Sequence, residues 1–372
     1  MGGQVVERSP GTPPPHRPDA GFSLVELLVA SALTFFVVAT LAVLTEQAGE
    51  IAHAQPEAVD VQQRARVATA ALYRDLHGAG AGMDRGRLTG ALSRTFPPIL
   101  PRRIGAIASD APTVARADVI SMLWVPGGGV QAAVAAPFSA SPLVVADVPG
   151  CPAGVGACGV KPGMGVLVFD PDGHVDLFTA QAVSGASVTV RHRGGGVRHL
   201  YTDRSVIAEF TGRTYYLDRA AKQLRQYDTD QTDVPVLDEV TAMTVEYFGD
   251  AAPPAEPRPL PGDSNCLFGP GGDLVPGLAV LTPGPDGLAH LPLAMLGDGP
   301  WCGSGDTAFD ADLLRVRRVR IALRVQASSA PLRGSDGRFA SAGTSRHTLR
   351  AVPDVLVAFD VAPRNLDPRN GP

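Results

Sequence analysis

The chain has 372 residues, 45% of them hydrophobic and 19% charged, which suits one or two packed domains and excludes a disordered acidic tail. Its 32 Lys+Arg against 37 Asp+Glu leave a formal net charge of −5, which argues against nucleic-acid binding through bulk charge. The 42 glycines and 34 prolines predict turns and long loops rather than a helical bundle.

The first element is an apolar run from Phe22 to Leu44, FSLVELLVASALTFFVVATLAVL, whose one charge is Glu26. As a helix it extends roughly 35 Å, enough to cross the hydrocarbon core of a bilayer. A polar, proline-rich stretch, Met1 to Gly21, precedes it. A secretory signal peptide has a shorter apolar run with a small-residue cleavage site after it, whereas here Gly21 stands before the run. Glu26 is the anomaly, because a carboxylate at mid-membrane costs up to about 3 kcal/mol and calls for a partner or a place near the interface.

The string Gly21-Phe22-Ser23-Leu24-Val25-Glu26-Leu27-Leu28 resembles the processing signal of type IV prepilins, shared by pilins and type II secretion pseudopilins. The resemblance implies cleavage between Gly21 and Phe22 by a prepilin peptidase, followed by N-methylation of Phe22. It also implies that Glu26 pairs with the N-terminal amine of a neighbouring subunit during assembly, two buried charges being tolerable together and costly apart. No proline occurs within the apolar run before Pro56, which within this family points toward a minor subunit.

Beyond Leu44 the helical pattern continues, and Val61, Ala65, Ala68, Leu72 and Leu76 form one apolar stripe. Gly78-Ala79-Gly80 supplies the stop, and Pro56 is expected to kink or interrupt the helix. The stretch from Ala65 to Gly80, with Leu72, Asp75 and Ala79-Gly80, resembles the segment closing this helix in minor pilins of the PilW type. From Asp118 onward short β-type runs alternate with Gly, Pro and Asp: 119–125, 143–148, 165–169, 175–183, 187–192, 205–217, 223–227, 240–248, 318–325 and 355–361. Phe169-Asp170-Pro171-Asp172-Gly173 reads as a hairpin turn. The order of the runs, with Tyr215-Tyr216 and the late Arg364-Asn365, again resembles the PilW type, while 84–117, 127–165 and 251–312 read as less constrained insertions.

Cys151, Cys158, Cys266 and Cys302 all fall in the part expected outside the cytoplasm, where pairing is favoured. Sequence proximity selects Cys151–Cys158 and Cys266–Cys302 from three pairings, and no C-x-x-C or adjacent histidine cluster supports zinc. Asp170-x-Asp172-Gly173 opens like a calcium loop but lacks its twelfth-position glutamate. Asp228, Asp230 and Asp233, or Asp306, Asp310 and Asp312, could supply oxygen ligands, but turn-forming aspartates explain both groups more simply. No metal or other cofactor is therefore expected. Arg318, Arg320 and Arg324 alternate with Val319, Ile321, Leu323 and Val325, a solvated strand face by default and a phosphate-gripping stripe as the alternative. Neither a dinucleotide loop nor a nucleophile elbow is present, and no catalytic set is proposed by the residues.

The expectation is an α+β, pilin-like chain: a leader (1–21), a transmembrane and filament-core helix (22–44), its amphipathic continuation (45–80) and a mostly antiparallel β-rich head with long loops (81–372). The resemblance implies a non-enzymatic minor pilin of the PilW type. Its partners would be the prepilin peptidase, other minor and major pilins and the inner-membrane assembly platform. It would cross the bacterial inner membrane once, with its N-terminus cytoplasmic and its head outside, before entering the pilus. The alternatives are a J-type pseudopilin of type II secretion, or a tip adhesin or DNA-binding subunit.

Overall fold

The structure, a computed structural model, describes residues 21, 23–82, 95–126, 131–146, 151–170, 172–259, 261–345 and 351–366, with backbone alone over 46–53. The leader up to Ala20 and the expected new N-terminus at Phe22 lie outside the described residues. The chain is α+β: among the described residues one α-helix, α1 (Leu24–Gly78), precedes a series of antiparallel strands. It divides into two compact units, Met1–His53 and Ala54–Pro372.

In the first unit the described side chains of α1 are exposed throughout Leu24–Thr45, a segment long and apolar enough to cross a membrane. In the second unit α1 runs through Pro56 unbroken, so the proline removes one backbone donor without ending the helix. There the stripe Val61, Ala65, Ala68, Leu72 and Leu76 is buried in the main core, as its spacing predicts.

The strands begin with β1 (Ile99–Leu100), β2 (Val119–Trp124), β3 (Gln131–Ala133) and β4 (Leu143–Val144). Next come β5 (Gly165–Phe169), β6 (Val175–Ser184), β7 (Ser187–His192) and β8 (Val206–Glu209). They continue with β9 (Thr211–Asp218), β10 (Gln223–Tyr227), β11 (Asp233–Asp238), β12 (Val240–Gly249) and β13 (Ala289–Leu291). The last are β14 (Trp301–Cys302), β15 (Phe309–Asp310), β16 (Val316–Val325) and β17 (Val355–Val361). One sheet runs β1-β2-β9-β10-β11 and another β13-β12-β16-β17, while β14 and β15 form a separate pair. Alternation decides which face is buried: Val319, Ile321, Leu323 and Val325 of β16 and Met243, Val245 and Tyr247 of β12 join the helix stripe in one core.

The third sheet, β3-β8-β5-β6-β7-β4, closes on itself. Its edges meet where Ala135 N–H donates to Val144 O at 2.8 Å and Ala146 N–H to Ala133 O at 2.9 Å, flanking a Val134–Val145 bridge. The result is a small antiparallel barrel without free edges. Val166, Val168, Phe178, Ala180, Val188, Val190, Tyr201 and Ile207 are among the residues of its interior core. Leu167, Phe169, Val175, Leu177, Val206 and Ala208 point the other way and belong to the main core. Period-two alternation thus lets β5, β6 and β8 serve two cores at once. The 127–165 stretch, read from sequence as a loose insertion, supplies β3, β4 and a disulfide loop to this barrel.

Candidate functional site

At the start of α1, Ser23 Oγ accepts from Val25 N–H at 3.2 Å, and Glu26 Oε2 accepts from Ser23 N–H at 3.1 Å. This is a capping box, so Glu26 has a local partner in the single chain. Gly21 is exposed beside it. Further along, Ser31, Thr34 and Thr40 each return a hydroxyl hydrogen bond of 2.7 Å to the carbonyl four residues back. The helix therefore offers its surroundings apolar side chains and few free polar groups, with Phe35 and Phe36 more than 70% exposed.

At the other end of α1, Asp75 is buried, and its Oδ2 accepts from Tyr215 Oη and from Arg213 Nη1, each at 2.7 Å. Burial first, and then the Asp75 contact, push the Tyr215 hydroxyl above its usual pKa. Asn365 Nδ2 donates to Ala79 O at 3.3 Å, and a Cβ on Gly80, at φ +74, would lie 2.9 Å from Leu366 Cδ2. Asp75, Ala79-Gly80, Tyr215 and Asn365, separate in sequence, meet at one staple between helix end, sheet and C-terminal segment.

Disulfides join Cys151 to Cys158 and Cys266 to Cys302. The arginine stripe is matched by acids: Arg318 pairs with Asp286, Arg320 Nε with Asp360 at 2.7 Å and Arg324 Nε with Asp354 at 2.7 Å. Arg318 and Arg320 also lie over Phe248, at 4.4 and 5.4 Å from the ring centre. Such a face is close to neutral and offers phosphates little net attraction.

The aspartate groups singled out in the sequence do not each gather into one site. Asp228 Oδ1 closes a turn on Asp230 and Thr232 N–H. Asp230 faces Arg191 and Thr179, and Asp233 faces Arg103 and Arg225 at 3.0 Å each. Asp306 accepts from Gly195 N–H, away from Asp310 and Asp312. Asp310 and Asp312 do approach Asp298. Asp312 forms a fully buried ion pair with Arg315, Nε to Oδ1 2.8 Å. Desolvation outweighs that pairing and pushes the Asp312 carboxyl up to about 7, while it lowers Arg315.

A further constellation was not legible beforehand. At one end of the barrel, the turn between β5 and β6 and the loop between β7 and β8 bring together Asp170, His174 and His199. Asp170 Oδ1 accepts from the N–H of Asp172 and of His174, both at 3.0 Å. Its Oδ2 faces His174 Nδ1 at 3.2 Å and His199 Nε2 at 2.7 Å. The two imidazoles stack, ring centres 3.7 Å apart and planes 5° from parallel. Although burial opposes ionisation, hydrogen bonds from His174 hold the Asp170 carboxyl below its usual range, and the bond to Asp170 raises His174. Beside them, Asp176 accepts from Tyr201 Oη and faces His192 Nε2, each at 2.7 Å. Gly196 N–H donates to His192 Nδ1 at 3.1 Å, which leaves the His192 proton on Nε2, toward Asp176.

No protein family matches this chain, and neither a curated protein nor a solved structure was found to match it.

Proposed function

We propose that the chain is a minor type IV pilin of the PilW type, a structural subunit that helps to prime or build the pilus. One observation carries this reading: an exposed apolar helical segment of membrane-spanning length, Leu24–Thr45, starts three residues beyond Gly21, with its one charge, Glu26, in the first turn. An apolar surface of that extent needs lipid or other helices around it. A prepilin peptidase would cut after Gly21 and methylate Phe22, the helix would pass from the inner membrane into the filament, and the head would stay outside. Two disulfides suit an oxidising compartment on that side. The helix-end staple supports the PilW type because it joins residues on which that resemblance rests. A J-type pseudopilin of a secretion system would use the same helix.

The test is the mass and N-terminal sequence of the mature protein from native membranes. A start at N-methylated Phe22 is expected; an intact Met1, or a cut beyond Leu44, would overturn the reading. Glu26→Ala and Glu26→Gln then probe assembly. Both are expected to be processed yet kept out of pili, because glutamine can retain the cap on Ser23 N–H but cannot neutralise a neighbour's amine.

A further inference from the structure

We propose that Asp170, His174 and His199 form a binding site for one zinc ion, or a similar late first-row divalent cation, at the end of the barrel. The donor set is two imidazole nitrogens and one carboxylate oxygen, all within 4.8 Å of one another. Two imidazoles with one carboxylate suit zinc, copper(II) or nickel, whereas calcium and magnesium prefer oxygen alone.

The surroundings favour a cation. Asp75, Asp118 and Asp312, also buried aspartates, are paired with arginines, whereas among the described residues the ion-pair partners of Asp170 are the two imidazoles. Asp172 and Asp176 add further negative charge beside His174. The Asp298–Asp310–Asp312 group is the weaker candidate, because Arg315 already stands 2.8 Å from Asp312 and would repel a metal.

The distances are close to what ligation needs. Donors about 2.0–2.1 Å from a tetrahedral zinc lie roughly 3.3 Å apart. Asp170 Oδ2 is 3.2 Å from His174 Nδ1 and 2.7 Å from His199 Nε2. The rings must open from their parallel stack so that both in-plane lone pairs converge, and each side chain is 26% exposed, which leaves room and an entry path. Each neutral imidazole keeps its proton by moving it to the other ring nitrogen, Nε2 in His174 and Nδ1 in His199. Asp170 Oδ1 remains on the turn amides, so the carboxylate is oriented before metal arrives. Water or an incoming ligand would occupy the fourth position.

The test uses the full-length chain in detergent, purified without a histidine tag and stripped with a chelator. Dialysis against zinc chloride with metal counting is expected to retain one zinc per chain, and cobalt(II) in its place should show the visible bands of a low-symmetry site. His174→Ala/His199→Ala should lose at least tenfold in affinity with an unchanged circular-dichroism spectrum, while His290→Ala, a histidine outside the cluster, should match the parent. Absence of saturable zinc binding by the parent, or unchanged binding by the double variant, would overturn the proposal.

Discussion

Asp75→Ala tests the staple at the end of α1. The Asp75 side chain is 5% exposed, and its Oδ2 takes two hydrogen bonds of 2.7 Å, from Tyr215 and Arg213. Removing it leaves the fully buried Tyr215 hydroxyl, among the described residues, with Gln226 Oε1 at 3.4 Å as its remaining side-chain acceptor. A hydrogen bond to a charged group contributes about 1.5–3 kcal/mol, and an orphaned buried hydroxyl adds to the loss. Arg213 and Arg74 are 32% and 71% exposed and can turn to water, so their ion pairs contribute little. The expected loss is therefore about 3 kcal/mol for Asp75→Ala, about 1.5 kcal/mol for Tyr215→Phe and under about 1 kcal/mol for Arg213→Ala. Urea unfolding of the full-length protein in detergent, followed by fluorescence, measures all three. Trp124 is a local reporter, because Arg213 lies 5.6 Å from its ring centre. In the double variant Asp75→Ala/Tyr215→Phe the two losses should fall short of additivity by about 1 kcal/mol. A loss below about 1 kcal/mol for Asp75→Ala, or strict additivity, would refute this account.

Two more outcomes follow from the head. The Cys266–Cys302 bridge closes a separation of 36 residues and Cys151–Cys158 one of 7. Loop-closure entropy then assigns about 3.8 and about 2.4 kcal/mol to them, so the Cys-to-Ala pair at 266 and 302 should lower stability more than the pair at 151 and 158. Thermal melts of the two double variants that reverse this order would count against it. For Asp312, burial raises the folded pKa to about 7, above its ordinary carboxylate value in the unfolded chain. Its contribution is thus fully present below about pH 4 and lost as pH rises through about 7. Asp312→Asn should accordingly gain stability relative to the parent over that interval and level off above it, and a pH-independent difference would sink the argument.

The parts of the fold that were legible are those where periodicity persists for several residues. The stripe Val61–Leu76 and the strands β5, β7, β10 and β17 fall where the pattern of apolar residues places them. Strand β3, of three residues, is too short for alternation to register, whereas the two residues of β4 fall at the start of the run 143–148. Strand β11 contains Pro235, which speaks against a strand and is tolerated here because β11 pairs only with β10, at the edge. The run 205–217 read as one strand, but it parts at Phe210 because β8 belongs to the barrel and β9 to the five-stranded sheet.

The same logic separates the two candidate sites. The signal around Gly21 and Glu26 is contiguous, so it could be read residue by residue, and even the Ser23–Glu26 cap obeys a three-residue spacing. That cap alters the physical meaning of Glu26. The carboxylate is not an unsatisfied charge waiting for a neighbour but an acceptor with a local bond, and a neighbouring amine must improve on it. A full positive charge does so in a low-dielectric environment, where a neutral amide is the weaker partner. The histidine cluster is the opposite case. Asp170 and His174 share a turn, but His199 reaches them only because β5 and β7 end at the same mouth of a closed barrel, and that closure pairs the region of β4 with that of β3, a strand too short to announce itself.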